Sequence, residues 1–368
     1  MVAVGPDDAD ERAAWLEALS SAIDANSYCL GAAVDAFETR CREHLSVPHA
    51  IGMNSGTDAI RIGLQAVGIG PRDRVVVPAF SFFSTASSVA HLGAVPHFVD
   101  VDPETGLIDL EAAVAGLDAG ARAVLPVHLY GQGVAMEPLL AAAEKNSAFV
   151  IEDSAQSFGV DYKGQMLGTI GHAGAYSFYP TKNLGAAGDA GLAVSRDDTI
   201  SAQIRSLRVH GDAGGYDHRT LGWNARMDGF QGAILSVKLD RLAAIESARA
   251  RNVETYLAAL EGSDLLDLVR PLARTPGSGH CWHQFIVRIA EGHRDRVRAA
   301  LTEAGIGSGI YYPGILPTLA VFSSLGHTAE EFPAATSLAE NGLALPIHHR
   351  LAPEDPERVV DVLAETLH

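Results

Sequence analysis

The chain has 368 residues, with 45 acidic against 27 basic side chains and a formal charge of −18. Hydrophobic residues make up 47% and charged residues 20%, enough apolar material for a sizeable core and incompatible with wholesale disorder. The acidic balance excludes a protein whose main task is gripping nucleic-acid phosphates, and the 37 glycines and 17 prolines show no collagen-like period.

Residues 11–25 place Trp15, Leu19 and Ile23 at helical spacing, and after Gly31 a second helix puts Val34, Phe37, Cys41 and Leu45 on one face. From residue 49 short apolar runs alternate with helical segments. HAIGM (49–53) leads to a helix over 57–67, RVVVP (74–78) to one over 84–92, and VPHFVDV (95–101) to one over 110–117. AVLPVH (123–128) precedes a helix over 136–145, followed by AFVIED (148–153). Such alternation predicts βαβ crossovers and a largely parallel sheet with helices on both faces. GAYSF (174–178) and GLAVS (191–195) are joined by a Gly-rich loop too short for a crossover helix, which predicts an antiparallel pair. Helices are expected over 199–209 and 229–260. Beyond about 262 the pattern becomes α+β, with strand HQFIVRI (283–289), a helix over 293–304, strand GIYY (309–312) and helices over 329–342 and 353–367. The expected division is a large α/β unit, 1–250, carrying an N-terminal helical segment, and a smaller α+β unit, 251–368.

Cys29, Cys41 and Cys281 are too few and too scattered for a disulfide framework. His280, Cys281 and His283 form a tempting cluster, but on a strand only Cys281 and His283 share a face and no further ligands appear at standard spacing, so no metal is expected. The first residues lack a signal-peptide core and no apolar run approaches the roughly 18 residues of a membrane span. The expectation is a cytoplasmic protein with neither membrane nor nucleic acid as partner.

Four local features carry chemistry. Asn54-Ser55-Gly56-Thr57 lies where a strand gives way to a helix, and free amides there form either a phosphate cradle or an ordinary N-cap. Asp153 ends a strand, at the edge where open α/β sheets bind ligands, with Gln156 three residues on. Lys182 sits in FYPTKNLGAAGDAG, either solvated or held as a Schiff-base lysine, with Gly185, Gly188 and Gly191 letting the backbone bend around a ligand. PAFSFFSTA supplies Phe80, Phe82 and Phe83 just after a strand. A phosphate cradle, a carboxylate, a lysine and an aromatic face together meet the needs of pyridoxal 5′-phosphate.

The segments GTDAIRIGLQAVGIGPRDRVVVPAFSFFSTA, FVIEDSAQSFG, AYSFYPTKNLGAAGDAG and LGWNARMDGFQGAIL resemble the DegT/DnrJ/StrS family of sugar aminotransferases, over nearly the whole chain. The resemblance implies the aspartate aminotransferase-like fold, fold type I of the pyridoxal-phosphate enzymes. By position it implies that Lys182 forms the Schiff base, that Asp153 holds the pyridinium nitrogen, and that Phe82 stacks on the ring with Gln156 near its hydroxyl. Gly56, Thr57 and Ser177 would bind the phosphate. Asn224 would reach it from the neighbouring subunit of a homodimer with shared active sites. Gly229 and His172 depart from the family's common residues without touching this set.

The implied reaction moves an amino group from an amino-acid donor, glutamate in most relatives, to a nucleotide-diphosphate keto sugar. Such a substrate is an anion, so a chain at −18 needs a local exception to its charge. Residues 203–251 hold eight basic against five acidic residues, a balance of +3, and within them Arg219 or Arg226 is the expected diphosphate contact. The alternative there is a helix with solvated charges. Tyr311 and Tyr312 either line the sugar pocket or are half-buried strand aromatics. The run NLGAAGD after Lys182 is more similar to members acting at C3 than to those acting at C4; C4-keto sugars and keto-cyclitols are the alternatives. Lys182 argues against the family's dehydratases, which carry histidine there. The absence of a GxGxxG turn after an early strand argues against a nicotinamide enzyme. A non-catalytic regulatory protein is the alternative of another class.

Overall fold

The computed structural model describes residues 4–368. Two helices open it. In α1 (Ala9–Asp24) the Asp8 side chain caps the first turn by accepting from the Glu11 amide, and α2 (Ala32–Leu45) starts from Gly31, whose φ of 82° suits glycine. The alternating region follows as β1 (His49–Met53), α3 (Gly56–Ala66), β2 (Arg74–Pro78), α4 (Phe83–Ala90), β3 (Val95–Val99), α5 (Leu110–Asp118), β4 (Ala123–Val124), α6 (Glu137–Asn146) and β5 (Phe149–Asp153). A short hairpin, β6 (Asp161–Tyr162) and β7 (Gln165–Met166), leads to β8 (Ala173–Ser177) and β9 (Gly191–Ser195).

The seven-stranded sheet has the order β1-β9-β8-β5-β4-β2-β3. Only β9 opposes the others, pairing antiparallel with both β1 and β8, as the short loop between 178 and 191 requires. Its central strands are buried on both faces, which is why they read as continuous Val/Ile runs rather than alternating ones. The strand predicted over 123–128 pairs only at Ala123–Val124, because Pro126 has no N–H for the ladder; Val127 nevertheless bridges Asp153.

Helix α7 (Asp198–Arg208) packs on α3, and the helix predicted over 229–260 proves to be two, α8 (Gly229–Leu239) and α9 (Leu242–Glu261). The break frees Arg241 to pair with Asp8 and Glu11 at the start of α1, each at 2.7 Å. Gly229 is required at the start of α8, since a Cβ there would stand 1.7 Å from the Ser27 carbonyl oxygen.

The second sheet is β10 (Val269–Pro271), β11 (Phe285–Ile289) and β12 (Gly342–Leu345), with β11 central and both pairings antiparallel. With α9, α10 (Arg294–Glu303) and α12 (Asp355–Leu367) it encloses its own core around Tyr256, Leu260, Phe285, Leu301 and Leu363, while α11 (Pro333–Asn341) joins the core of the larger sheet through Ala335 and Leu338. The expected boundary at 250 falls inside α9. Two expectations are corrected. GIYY (309–312) is not a strand: only Gly309 pairs, with Ala344, and β12, of which only Gly342 fell in a predicted helix and the rest was left unassigned, takes the edge of β11 instead. Pro313 lacks the N–H to extend a ladder, and Tyr311 and Tyr312 turn toward the larger sheet. The strand predicted from His283 starts at Phe285. Trp282, at φ 51°, breaks the alternation that would have set Cys281 and His283 on one face. Among the described residues no helix is long and apolar enough to cross a membrane.

Candidate active site

A cavity of about 510 Å³ lies outside the carboxyl ends of the parallel strands. Its wall takes Ser55–Thr57 from the end of β1, Ser81 and Phe82 from the end of β2, Asp153 and Gln156 from β5, and Ser177 and Lys182 from β8. Asp189 and Ala190 come from the start of the opposed strand β9, and His283, Gln284, Tyr311 and Tyr312 close the cavity from the smaller sheet's side. Nine of the sequence-derived residues are thus brought together: Gly56, Thr57, Phe82, Asp153, Gln156, Ser177, Lys182, Tyr311 and Tyr312.

The strand IED shows how the pleat divides two acids. Asp153 faces the cavity while Glu152 faces away and is satisfied by the amides of Gly168, Ile170 and Gly171 and by His128 Nε2, at 2.6–2.8 Å. Asp153 is 3% exposed and has less support: Thr85 Oγ1 donates at 2.8 Å and the Ala155 amide at 3.2 Å. Burial raises its pKa in spite of these bonds and the nearby Lys182 charge. An incompletely compensated buried carboxylate fits a cationic ring nitrogen.

Lys182 is half-buried in the wall, and burial lowers its amine to about 8, against the opposing pull of Asp153. That brings the unprotonated, nucleophilic form within reach near neutrality. At the start of α3, Ser55 caps by accepting from the Asp58 amide at 3.1 Å, and the amides of Gly56 and Thr57, beyond any intrahelical acceptor, border the cavity. A Cβ on Gly56 would stand 2.7 Å from Ser177 Cβ, and one on Gly191 would stand 2.3 Å from the Ser55 carbonyl carbon, so both glycines are needed for these segments to approach so closely beside the cavity. Gln156 is held by accepting from the Tyr130 amide at 2.6 Å and donating to Tyr312 Oη at 3.1 Å. Phe82 precedes α4, is 53% exposed and lies 5.8 Å, centroid to centroid, from Tyr312.

Three predicted residues lie outside this wall. Asn224 is exposed and accepts from Arg226 Nε at 3.1 Å, on a segment that pairs with the end of β1 through Met53 and Asn54. Arg219 lies on the exposed loop 211–222, paired with Asp217. Sequence reasoning missed Thr85, Asp189, His283 and Gln284. Thr85 lay within the quoted run PAFSFFSTA, but only the packing of α4 against β5's end shows that it meets Asp153. His283 was weighed only as a metal ligand and set aside.

A buried carboxylate, a lysine amine lowered by burial and the free amides of a helix start around one cavity fit pyridoxal phosphate on a fold type I scaffold. The chain belongs to the DegT/DnrJ/EryC1/StrS aminotransferase family, whose profile matches residues 9–364. It is 39% identical, over 96% of this chain and 94% of the relative, to a UDP-N-acetyl-3-dehydro-alpha-D-glucosamine 3-aminotransferase of Acidithiobacillus ferrooxidans. It is 40% identical, over 95% and 93%, to a Geobacillus stearothermophilus protein named a pleiotropic regulatory protein. The X-ray structure of S. venezuelae DesV in complex with a ketimine intermediate superposes with a TM-score of 0.92 at 32% identity, over 97% of this chain and 95% of that one. The protein is therefore a pyridoxal-phosphate-dependent sugar aminotransferase of nucleotide-sugar metabolism.

Proposed function

We propose that the chain transfers an amino group from L-glutamate to the C3 keto group of a nucleotide-diphosphate sugar, with its two units dividing near residue 250. The observation that carries the catalytic part of this reading is that Lys182, whose amine feels the Asp153 charge, lines one cavity with Asp153 and the start of α3 at Gly56 and Thr57. The names of the A. ferrooxidans relative and of a Streptomyces venezuelae dTDP-3-amino-3,4,6-trideoxy-alpha-D-glucose transaminase, 33% identical over 96% of this chain, support C3.

When bound, pyridoxal 5′-phosphate supplies an aldehyde to carry the amino group and a protonated ring to draw electron density from the carbon that loses its proton. Gly56, Thr57 and Ser177 would hold the phosphate, and Asp153 would keep the ring nitrogen protonated. Phe82 would pack on the ring and Gln156 would serve its hydroxyl. Lys182 takes the proton from the substrate carbon and returns it on the other side of the transfer, as base and then acid. Tyr311 and Tyr312 bound the sugar end. Arg219 or Arg226 meets the diphosphate, and the chain acts in the cytoplasm.

A panel of 3-keto and 4-keto nucleotide sugars with glutamate tests the assignment. Turnover confined to the 3-keto members is expected, and preference for 4-keto members or for keto-cyclitols overturns C3. Run on Arg219→Gln and Arg226→Gln, the same panel is expected to show the sugar-nucleotide KM raised about 10-fold or more in one of them, for loss of a charge-assisted contact. The glutamate half-reaction stays unchanged; equal effects on both halves refute the diphosphate role.

Asn224 belongs, in this reading, to the partner's phosphate site in a homodimer. Exposed apolar side chains support that assembly: Phe82 and Tyr179 in the cavity wall, and Tyr216 and Leu221, 88% and 91% exposed, on the loop 211–222. Mixing inactive Lys182→Ala with weakened Asn224→Ala chains is expected to restore part of the activity, because the mixed dimer contains one site native at both positions. No recovery after subunit exchange would place Asn224 in its own chain's site.

A further inference from the structure

His283 is a cavity-lining imidazole that the transfer reaction described above leaves without a task. It is 7% exposed, and its Nδ1 is buried with no hydrogen-bond partner. A buried polar nitrogen left in that condition costs free energy, so it marks a place where a partner is expected. The segment carrying it is held firmly. Arg249 Nη1 donates to the Trp282 carbonyl at 2.8 Å and to the Ile347 carbonyl at 3.2 Å, and the Cys281 amide donates to the Gly131 carbonyl at 3.0 Å. Asn183, the residue after Lys182, donates from Nδ2 to the Cys281 carbonyl at 2.7 Å. Lys182 and His283 are therefore tied together through their neighbours, and both face the one cavity.

We infer that His283, whose Nδ1 this structure leaves without a partner, takes a hydrogen bond from the free amine of Lys182 when the lysine side chain turns to it, and so positions the amine between transfers, a role that rests on the reading of Lys182 as the proton-moving lysine. An acceptor must be neutral, and the surroundings keep the imidazole so: burial first, then the charges of Lys182 and Arg249, hold its pKa well below the usual histidine value. The groups facing Lys182 leave this acceptor unopposed. Asp153 attracts the ammonium, and the Cys281 thiol is pushed by burial up to about 12 and stays protonated. Tyr312 is likewise raised by burial and remains a neutral phenol. Asp189 and Tyr179 complete the ionisable wall, and Glu246 stands beside Arg249. Because a neutral acceptor stabilises the ammonium over the free amine, its loss lowers the amine's pKa further.

The test uses the full-length, cofactor-free protein and pyridoxal 5′-phosphate as probe, following growth of the visible band against pH. The native rate is expected to have its midpoint near about 8. In His283→Leu the midpoint moves down by about one pH unit, a tenfold gain in free amine at low pH. In His283→Gln, which keeps an acceptor, it stays within a few tenths of native. A native midpoint in the leucine variant, or equal shifts in both, overturns the inference. Should the leucine variant not fold by circular dichroism, His283→Ala serves: its lowered midpoint returns toward native with added imidazole, and failure to return counts against the role. A visible band that survives Lys182→Ala removes the reading of Lys182 itself, a result separate from any of these.

Discussion

Replacing Lys182 with alanine is expected to lower turnover by at least about 10³-fold, since the change removes both the nucleophilic amine and the group that carries the proton. The visible absorption of the cofactor-loaded protein is lost with it, while the circular dichroism of the fold is kept. Stability supplies an independent check through the sign of the lysine's shift. The amine titrates at about 8 in the fold against 10.5 when unperturbed, so below pH 8 the native state holds an ammonium that burial penalises. That penalty is worth up to about 3 kcal/mol. Lys182→Met is accordingly expected to raise the Tm of the cofactor-free protein at pH 7. Between pH 8 and 10.5 the unfolded chain binds more protons than the native one, native stability rises, and the variant's advantage fades. A variant less stable at pH 7, or an advantage unaffected by pH, contradicts the strained-lysine account.

Asp153→Asn is expected to cost about 10²–10³ in turnover, the scale found when one preorganised electrostatic partner is removed from a buried site. Cofactor affinity falls about 10-fold or more for loss of a charge-assisted hydrogen bond. The cofactor-free protein should tell the opposite story. Burial raises the Asp153 pKa, so the fold favours its protonated form, and stability is lost as pH rises from the unfolded carboxyl value through the folded one. At pH 8 the native chain carries that penalty, and the neutral isostere does not. A cofactor-free Tm equal to or above native, together with collapsed turnover, separates a catalytic carboxylate from a structural one. A large drop in Tm would make Asp153 a structural residue instead.

His128, Glu152 and Asp153 illustrate why the two acids of one strand need different treatment. Glu152 has four donors and belongs to the sheet's wall, whereas Asp153 has two and waits for a cation. From the sequence, Asp153 stood out by its position at a strand's carboxyl end, because ligands gather at that edge. The number of donors on each acid could not be read there, since Thr85 and Gly168 come from 68 and 16 residues away.

The alternating runs from 49 to 153 declared a parallel sheet, and the short loop between 178 and 191 declared its one opposed strand; local patterning and chain length suffice for both. That Lys182, Asp153 and Gly56–Thr57 border one cavity followed the same local logic, as each lies at or just past the end of a strand beside a distinctive residue. Elements whose existence depends on distant partners escaped. β12, just past a predicted helix, was not assigned because its pairing with β11 spans more than 50 residues, and GIYY was read as a strand although only Gly309 pairs. His283 is the sharpest case. Residue type made it a tempting metal ligand and spacing argued against one, which left it without a role; Trp282 at positive φ, the Arg249 clamp and the Asn183 tie hold its segment at the lysine's cavity. Strand periodicity and turn chemistry are local and so lie open in the sequence; the company a side chain keeps is set by chain crossings, and only the folded molecule decides it.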